Sequence, residues 1–230
     1  QVLAVTTGAQ LEAAAVADAN ANAALAAQGL TVAPVGLVVA GAFAGVAADG
    51  RDLASLLELS NMQALRAILA GRTPQQALSF GGQWLEQIVG QQVVDAGRVA
   101  LGVATAARTD VGGYYRVLNL PSCSRCVVLA GTWYRWNAGF ERHPRCDCYS
   151  VPGDRDARPE GLKTPRQVFD SMSMVEQNRV FTAAGAESIR EGADIGQVVN
   201  ARRGMSTAAG RKVTTVNARR HGVRPMPEQI

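Results

Sequence analysis

The residues of this chain that could carry chemistry are concentrated in one short segment, which holds all four cysteines. Their spacing is Cys123-x2-Cys126, then 16 residues, then His143-x2-Cys146-x-Cys148. A Cys-x2-Cys pair curls so that both sulfurs face one centre, and a second pair after such an excursion is typical of a closed tetrahedral zinc site. The segment therefore predicts a structural Zn²⁺ site with five candidate ligands for four positions.

The spacing leaves open which of the three downstream residues bind the metal. Cys146 and Cys148 are two residues apart, so in an extended chain both sulfurs point to the same side and Asp147 points away. In that arrangement His143 lies behind the ligands or fixes the backbone before Pro144. The alternative is that His143 takes one of the four positions.

Two other kinds of chemistry use the same residue types. The cysteines could form two disulfides, which an assembled extracellular particle would permit, but adjacent Cys-x2-Cys and Cys-x-Cys pairs are more typical of metal sites. A cysteine nucleophile paired with His143 is the other alternative. Four thiols in one module favour a cage over a single activated thiol, so we expect no catalytic residue here.

The elements next to the cysteines predict a small β module. The stretch "TWYRWNAGF" alternates and then turns at Asn137–Gly139, which predicts a hairpin. A metal ion together with an aromatic cluster can stabilise a module too small to have a core of its own. The aromatic residues crowded into this part of the chain are Trp133, Tyr134, Trp136, Phe140 and Tyr149.

The rest of the chain predicts a mainly α fold. Apolar residues make up 47% of the sequence and aromatic residues only 5%, and the abundance of alanine favours closely packed helices over a β-sandwich. One helix is expected to end at Gly29 and a second to close on Gly71. A long third helix should begin with Thr73 as N-cap and Pro74 in the first turn, with a weak point at Gly81–Gly82.

Shorter elements are predicted in the second half of the chain. Gly112–Gly113 should break the long helix, after which "YYRVLNL" alternates like a short strand. Ser173 and Glu176 form a capping box before a helix closed by Gly192, and Asp194 can cap a last short helix. These signals predict a small, helical C-terminal part.

The organisation follows from these elements. We expect a helical region at 1–110, the Cys/His module at 111–152, and a small helical and basic part at 153–230. Residues 19–48 carry no charge, but their apolar core is 13 residues long, against the roughly 20 that span a bilayer. No membrane segment is therefore expected. The chain begins at Gln1 and stops at Ile230, which suggests that both ends are cut.

Positive charge is concentrated toward the end of the chain, within a formal net charge of +4. No carboxylate occurs from Ile195 to Pro227. Such a run can face phosphate, although a solvated tail is the simpler interpretation. The candidate nucleic-acid contacts are Arg202, Arg203, Arg211, Lys212, Arg219 and Arg220.

Together, "PSCSRCVVLAG…YRWNAGF…RHPRCDC" resembles the signature of the phage Mu protein F-like (MuF) minor head proteins. The match is closest to the actinobacteriophage branch, whose members are often labelled capsid maturation proteases or minor capsid proteins. "FTAAGAESIREGADIGQVVNARRGM" and "GVRPMPEQI" also look like that branch, so the resemblance covers roughly residues 90–230. The residues that match the family motif are Cys123, Cys126, His143, Pro144, Cys146 and Cys148.

The resemblance implies a minor capsid protein in the phage head, assembled in the host cytoplasm. Such a protein acts in head morphogenesis at or near the portal, inside the capsid. The implied partners are the portal and the capsid or scaffold proteins of the same phage, with packaged DNA as a further partner. Several copies in one assembly, with a structural zinc module in each, are expected.

Two alternatives remain open at this stage. The family label suggests a capsid maturation endopeptidase, but the chain has only His143 and His221 as imidazole bases, and neither a G-x-S-x-G elbow nor a His-Glu-x-x-His helix. A zinc ion with four protein ligands also has no open position for water. These residues favour a role without enzyme activity.

The second alternative is a virion nucleic-acid-binding zinc protein, with contacts at Arg125, Arg135, Arg142 and Arg145.

Overall fold

Helices dominate the structure, a computed structural model that describes residues 1–139, 146–203, 205–208 and 211–214. The helices are α1 (Val2–Ala15), α2 (Ala17–Ala26), α3 (Leu53–Leu69), α4 (Pro74–Ala106), α5 (Ser124–Val128), α6 (Pro165–Asp170), α7 (Met174–Phe181), α8 (Ala183–Arg190) and α9 (Ile195–Arg203). The strands are β1 (Gly113–Val117), β2 (Trp133–Arg135), β3 (Tyr149–Pro152), β4 (Met205–Ala208) and β5 (Arg211–Thr214). This mainly helical fold with a small antiparallel sheet confirms the predicted fold class.

The chain divides into two compact units, each assembled from two stretches of sequence. The first consists of Gln1–Val117 and Thr132–Gly161, and the second of Leu118–Gly131 and Leu162–Ile230. The first contains α1 to α4 with the three-stranded sheet, and the second contains α5 to α9 with β4 and β5. The first unit is discontinuous in sequence because β2 and β3 return to pair with β1 after the chain has formed α5. The predicted organisation into 1–110, 111–152 and 153–230 stays a prediction.

The long helix α4 packs against the other three helices of the first unit. Its start is a capping box, in which the Gln76 amide donates to Thr73 Oγ1 at 3.3 Å and the Thr73 amide donates to Gln76 Oε1 at 3.1 Å. The helix runs unbroken through Gly81, where the sequence suggested a weak point. A Cβ on Gly81 would lie 3.0 Å from Ala64 Cβ, so this glycine allows the close approach of α3.

Alanine forms the contact between α4 and the first two helices. The buried side chains of this cluster are Ala14, Ala17, Ala21, Ala100 and Ala104. The distance between two packed helices depends on the side chains at their contact, so these small residues let the backbones come close. A Cβ on Gly97 of α4 would lie only 3.3 Å from the Ala13 carbonyl oxygen.

The first predicted helix is two helices in the structure. α1 ends at Ala15 and α2 begins at Ala17, with Val16 between them at φ −89° and ψ 0°. Gly29 follows α2 with φ 73°, as expected of a residue that ends a helix. The uncharged stretch then continues to a 3-10 turn at Ala40–Phe43. None of the helices in the described part of the chain combines the length and the apolar character needed to cross a bilayer.

The three-stranded sheet has β1 at its centre, in the order β2-β1-β3, and both pairings are antiparallel. Tyr115 lies opposite Trp133 of β2 and Val151 of β3. The sequence suggested a hairpin that turns at Asn137–Gly139. In the structure β2 and β3 are both partners of β1. The residues directly after Gly139, which would form the returning strand of the hairpin, lie outside the described part of the chain, so the hairpin stays a prediction.

The central strand is buried along most of its length. Tyr114, Tyr115 and Arg116 are all buried, although their side chains alternate between the two faces of the strand. At Gly113 an added Cβ would overlap the Tyr134 carbonyl oxygen and the Trp133 ring. Only glycine fits at this position, where the sheet begins. The long helix ends earlier than the predicted break at Gly112–Gly113, since α4 stops at Ala106 and a 3-10 turn at Thr109–Val111 follows it.

The second unit has its own apolar core. Phe169 of α6 and Phe181 of α7 meet edge to face, with ring centroids 5.3 Å apart. The helix predicted after Ser173 is divided at Thr182, which has φ 68° and caps α8 by accepting from the Gly185 amide. β4 and β5 form an antiparallel pair, whereas the sequence there suggested no regular element.

Candidate metal centre

The two cysteine pairs are presented by different local structures. Cys123 precedes the short helix α5, and the backbone amides of Cys126 and Val127 both donate to its carbonyl oxygen at 3.0 Å. This turn brings the Cys123 and Cys126 sulfurs to 3.7 Å from each other. Cys146 and Cys148 lie in the segment immediately before β3, with Asp147 exposed between them. The predicted outward orientation of Asp147 agrees with its exposure.

Three of the cysteines form a buried cluster. The sulfurs of Cys126, Cys146 and Cys148 all lie within 4.8 Å of one another. Sulfurs bound about 2.3 Å from a tetrahedral zinc ion are separated by about 3.8 Å, so the cluster needs only a small contraction to bind such an ion. The three side chains could therefore bind a metal ion. No second group of this kind occurs within residues 1–139, 146–203, 205–208 and 211–214.

The disulfide alternative is wrong for this structure. None of the four cysteines is joined to another by a disulfide, and the 3.7 Å between the Cys123 and Cys126 sulfurs is far longer than the roughly 2.05 Å of a disulfide bond. The same separation is close to that of two sulfurs on one zinc ion. Cys123 is the one exposed cysteine and does not belong to the buried group of three.

A buried arginine lies against the downstream cysteines. Arg116 of β1 is only 2% exposed. Its Nη2 lies 3.5 Å from the Cys148 sulfur and 3.8 Å from the Cys146 sulfur, within hydrogen-bond range for sulfur acceptors. A guanidinium carries a permanent positive charge, so these contacts place a positive charge beside the two sulfurs.

A second arginine fixes the backbone at Cys146. Arg98 of α4 donates from Nη2 to the Cys146 carbonyl oxygen at 2.6 Å. Its Nη1 is held by the Asp95 carboxylate at 3.1 Å, and Gln91 donates to the same carboxylate at 2.9 Å. The guanidinium is thus oriented by its own helix before it reaches the loop. These contacts tie the position of the Cys146 backbone to α4.

The strand beside the site is anchored by a tyrosine. The Tyr115 hydroxyl donates toward the carbonyl oxygens of Asp154 and Arg155 at 2.9 and 3.0 Å. Burial raises the pKa of Tyr115, with smaller and opposing influences from nearby charges. The phenol therefore stays neutral at physiological pH and acts as a hydrogen-bond donor that holds the chain following β3.

The other predicted site residues are distributed as follows. His143 lies outside the described residues, so its place as a fourth ligand stays a prediction. Arg202 and Arg203 end α9, and Arg211 and Lys212 begin β5. Arg219 and Arg220 lie outside the described residues. The proposed nucleic-acid contacts therefore remain predictions.

Arg98 and Arg116 are the residues of this site that sequence reasoning missed. Arg116 had a usable signal, since it is the one charged residue in the otherwise uncharged strand sequence "YYRVLNL", and a charge there needs a partner. Arg98 had none, because an arginine in a long helix is usually solvated. Its contact joins residues 48 positions apart in the chain.

No protein-family model, curated protein or solved structure matches the chain.

Proposed function

We propose that the cysteine cluster is a structural zinc centre. The observation that carries this proposal is the group of three buried sulfurs within 4.8 Å of one another. Thiolate ligands are typical of zinc and iron–sulfur centres, whereas magnesium and calcium prefer oxygen. The Cys-x2-Cys turn and the 3.7 Å between its sulfurs support this proposal, because two thiolates on one zinc ion are about that far apart. Cys123 or His143 would supply the fourth ligand.

The proposed role of the zinc is structural and not catalytic. A catalytic zinc keeps one coordination position for water or substrate, while a site made mainly of cysteines is usually closed. The Cys126, Cys146 and Cys148 side chains are buried, which would keep water away from an ion bound by them. A metal in this position would hold the segment before β3 in place.

The wider role that we propose is that of a minor head protein of a phage, located near the portal. The support is the resemblance of the Cys-x2-Cys…His-Pro-x-Cys-x-Cys segment, and of the C-terminal part, to the MuF minor head proteins. A zinc-stabilised module suits a protein that must present a rigid surface to portal, capsid or scaffold subunits. The buried thiols also suit a structural protein better than the endopeptidase of the family label.

The zinc proposal predicts the metal content of the purified protein. We expect one tightly held zinc ion per chain when the protein is prepared without chelators, measured by inductively coupled plasma mass spectrometry. Replacement by Co²⁺ should give intense sulfur-to-cobalt absorption and the d–d bands of a tetrahedral, sulfur-rich site. Folded protein that contains no metal and binds no Co²⁺ would refute the proposal.

The head-protein proposal predicts a low copy number in virions. Quantitative mass spectrometry of purified virions of the source phage should detect the chain at a small fraction of the major capsid subunit, and empty heads assembled without DNA should retain it. Absence from virions and proheads would contradict this role, even if the zinc centre is present. A copy number equal to that of the major capsid subunit would contradict it as well.

A further inference from the structure

Arg116 occupies an unusual position for an arginine. Its side chain is buried in the first unit, on the central strand of the sheet. Removing a guanidinium from water is costly unless nearby groups with negative charge or hydrogen-bond acceptors compensate for the lost hydration. Its Nη2 group donates toward the Cys146 and Cys148 sulfurs.

The sheet fixes where this guanidinium points. The Arg116 backbone amide donates to the Thr132 carbonyl oxygen at 2.9 Å, and its Cα lies opposite Ser150 of β3. Ser150 is two residues after Cys148, so the strand pairing places the Arg116 side chain at the end of β3 where the cysteines enter. Its position is therefore set by backbone pairing that does not depend on a metal contact.

The positive charge of Arg116 is opposite to the net charge that the cysteines would have in the metal-bound state. Cysteine binds a divalent ion as a thiolate, and three or four thiolates on one Zn²⁺ leave the centre with net negative charge. In a buried site that charge is poorly screened, and a cation in contact with the sulfurs offsets it. Neutral thiols would offset the lost hydration of the buried guanidinium much less than metal-bound thiolates would. Arg116 therefore favours the metal-bound protein over the metal-free protein.

From these contacts we infer that Arg116 is a positioning residue of the metal centre, which raises its affinity for divalent metal by hydrogen-bonding and neutralising the Cys146 and Cys148 thiolates. This inference rests on the proposed zinc centre. A lysine at the same position would keep the charge, but its compact ammonium lacks the planar, multi-donor guanidinium that holds its position against two sulfurs. The effect of charge can thus be separated from the effect of geometry.

The test compares metal affinity in the full chain by competition with a chromophoric chelator. Arg116→Gln should weaken zinc binding by about 10- to 100-fold, the range seen when residues behind metal ligands are replaced. Arg116→Lys should recover part of that loss. In the Co²⁺ form of Arg116→Gln, the sulfur-to-cobalt band should move to longer wavelength, because the thiolates lose a hydrogen bond. Arg135→Gln is the matched control, since Arg135 is exposed on the same sheet and should leave affinity and spectrum unchanged.

The outcomes separate the inference from the proposed function. If the wild-type protein binds no metal, the proposed zinc centre fails and the inference falls with it. If the wild type binds zinc and Arg116→Gln binds it equally well with an unchanged cobalt spectrum, only the inference is overturned. Should Arg116→Gln be too unstable to measure, Arg116→Lys decides: an affinity and cobalt band identical to those of the wild type would overturn the inference.

Discussion

Replacing Cys148 by serine is expected to remove the bound metal and to lower the free energy of unfolding by several kcal/mol. Cys148 is buried, contacts Arg116 and shares the cluster with Cys126 and Cys146. A serine hydroxyl is a poor zinc ligand at neutral pH, and the free energy of structural zinc binding, about 10–16 kcal/mol in zinc-finger peptides, contributes directly to folding. The measurement is thermal and urea unfolding with and without a chelator.

The pattern of results matters more than any single melting temperature. Chelation should lower the melting temperature of the wild type and leave that of Cys148→Ser unchanged, because the variant has no metal to lose. Asp147→Ala is the matched control, since Asp147 is exposed between the two cysteines; its metal content and chelator sensitivity should equal those of the wild type. A Cys148→Ser protein that retains one zinc ion per chain would show that Cys148 is not a ligand.

Replacing Asp18 by alanine should cost about 3–5 kcal/mol of stability, the cost of leaving one charge of a buried ion pair without its partner. The Arg108 side chain is fully buried, and its Nη1 lies 3.2 Å from the Asp18 carboxylate. The second carboxylate oxygen accepts from the Val38 amide at 2.8 Å. The substitution therefore removes the acceptor of the Val38 amide and leaves the Arg108 guanidinium without its negative partner, in contact with neutral acceptors such as Asn22 Oδ1 and the Ala104 carbonyl oxygen. Urea unfolding gives the free energy directly.

Two further variants locate the origin of this loss. Arg108→Met should cost less than Asp18→Ala, because the Asp18 side chain is 22% exposed and can regain water. The double variant should be more stable than the sum of the single losses predicts, since no charge is left unpaired. The exposed pair Arg51–Asp49, at 2.7 Å with side chains about half exposed, is the control. Asp49→Ala should change stability little, and an equal loss there would contradict the role of burial.

Local signals in the sequence predicted the local parts of this structure. The N-cap at Thr73, the capping box at Ser173, the helix that closes before Gly71 and the Cys-x2-Cys turn each depend on residues within a few positions of one another. The capping role of Asp194 is of the same kind, since its carboxylate accepts from the Gln197 amide. In such cases the chemistry of a short segment is enough to determine its conformation.

The parts that the sequence did not predict depend on distant pairing. Nothing near Trp133 indicates that β2 will pair with β1 and not with β3, because that choice is made by the contacts of the whole sheet. The contact from Arg98 to the Cys146 backbone likewise appears only after α4 and the sheet are in place. The number of sulfurs that meet also depended on the fold, as spacing alone did not exclude two disulfides.

The alanine contact between α4 and the first two helices also limits how this chain can evolve. Most apolar cores accept exchanges among Leu, Ile, Met and Val, because side chains of similar volume can repack. Here Ala14, Ala17, Ala21, Ala100 and Ala104 are buried where backbones lie close together. An added methylene group would have to push the helices apart or displace the larger side chains packed at the edge of the cluster, Val38, Phe43 and Leu101. We therefore expect drift at these positions to be largely confined to glycine, alanine and serine. Related chains should therefore diverge freely on the exposed faces of the same helices, while the buried alanine positions keep small side chains.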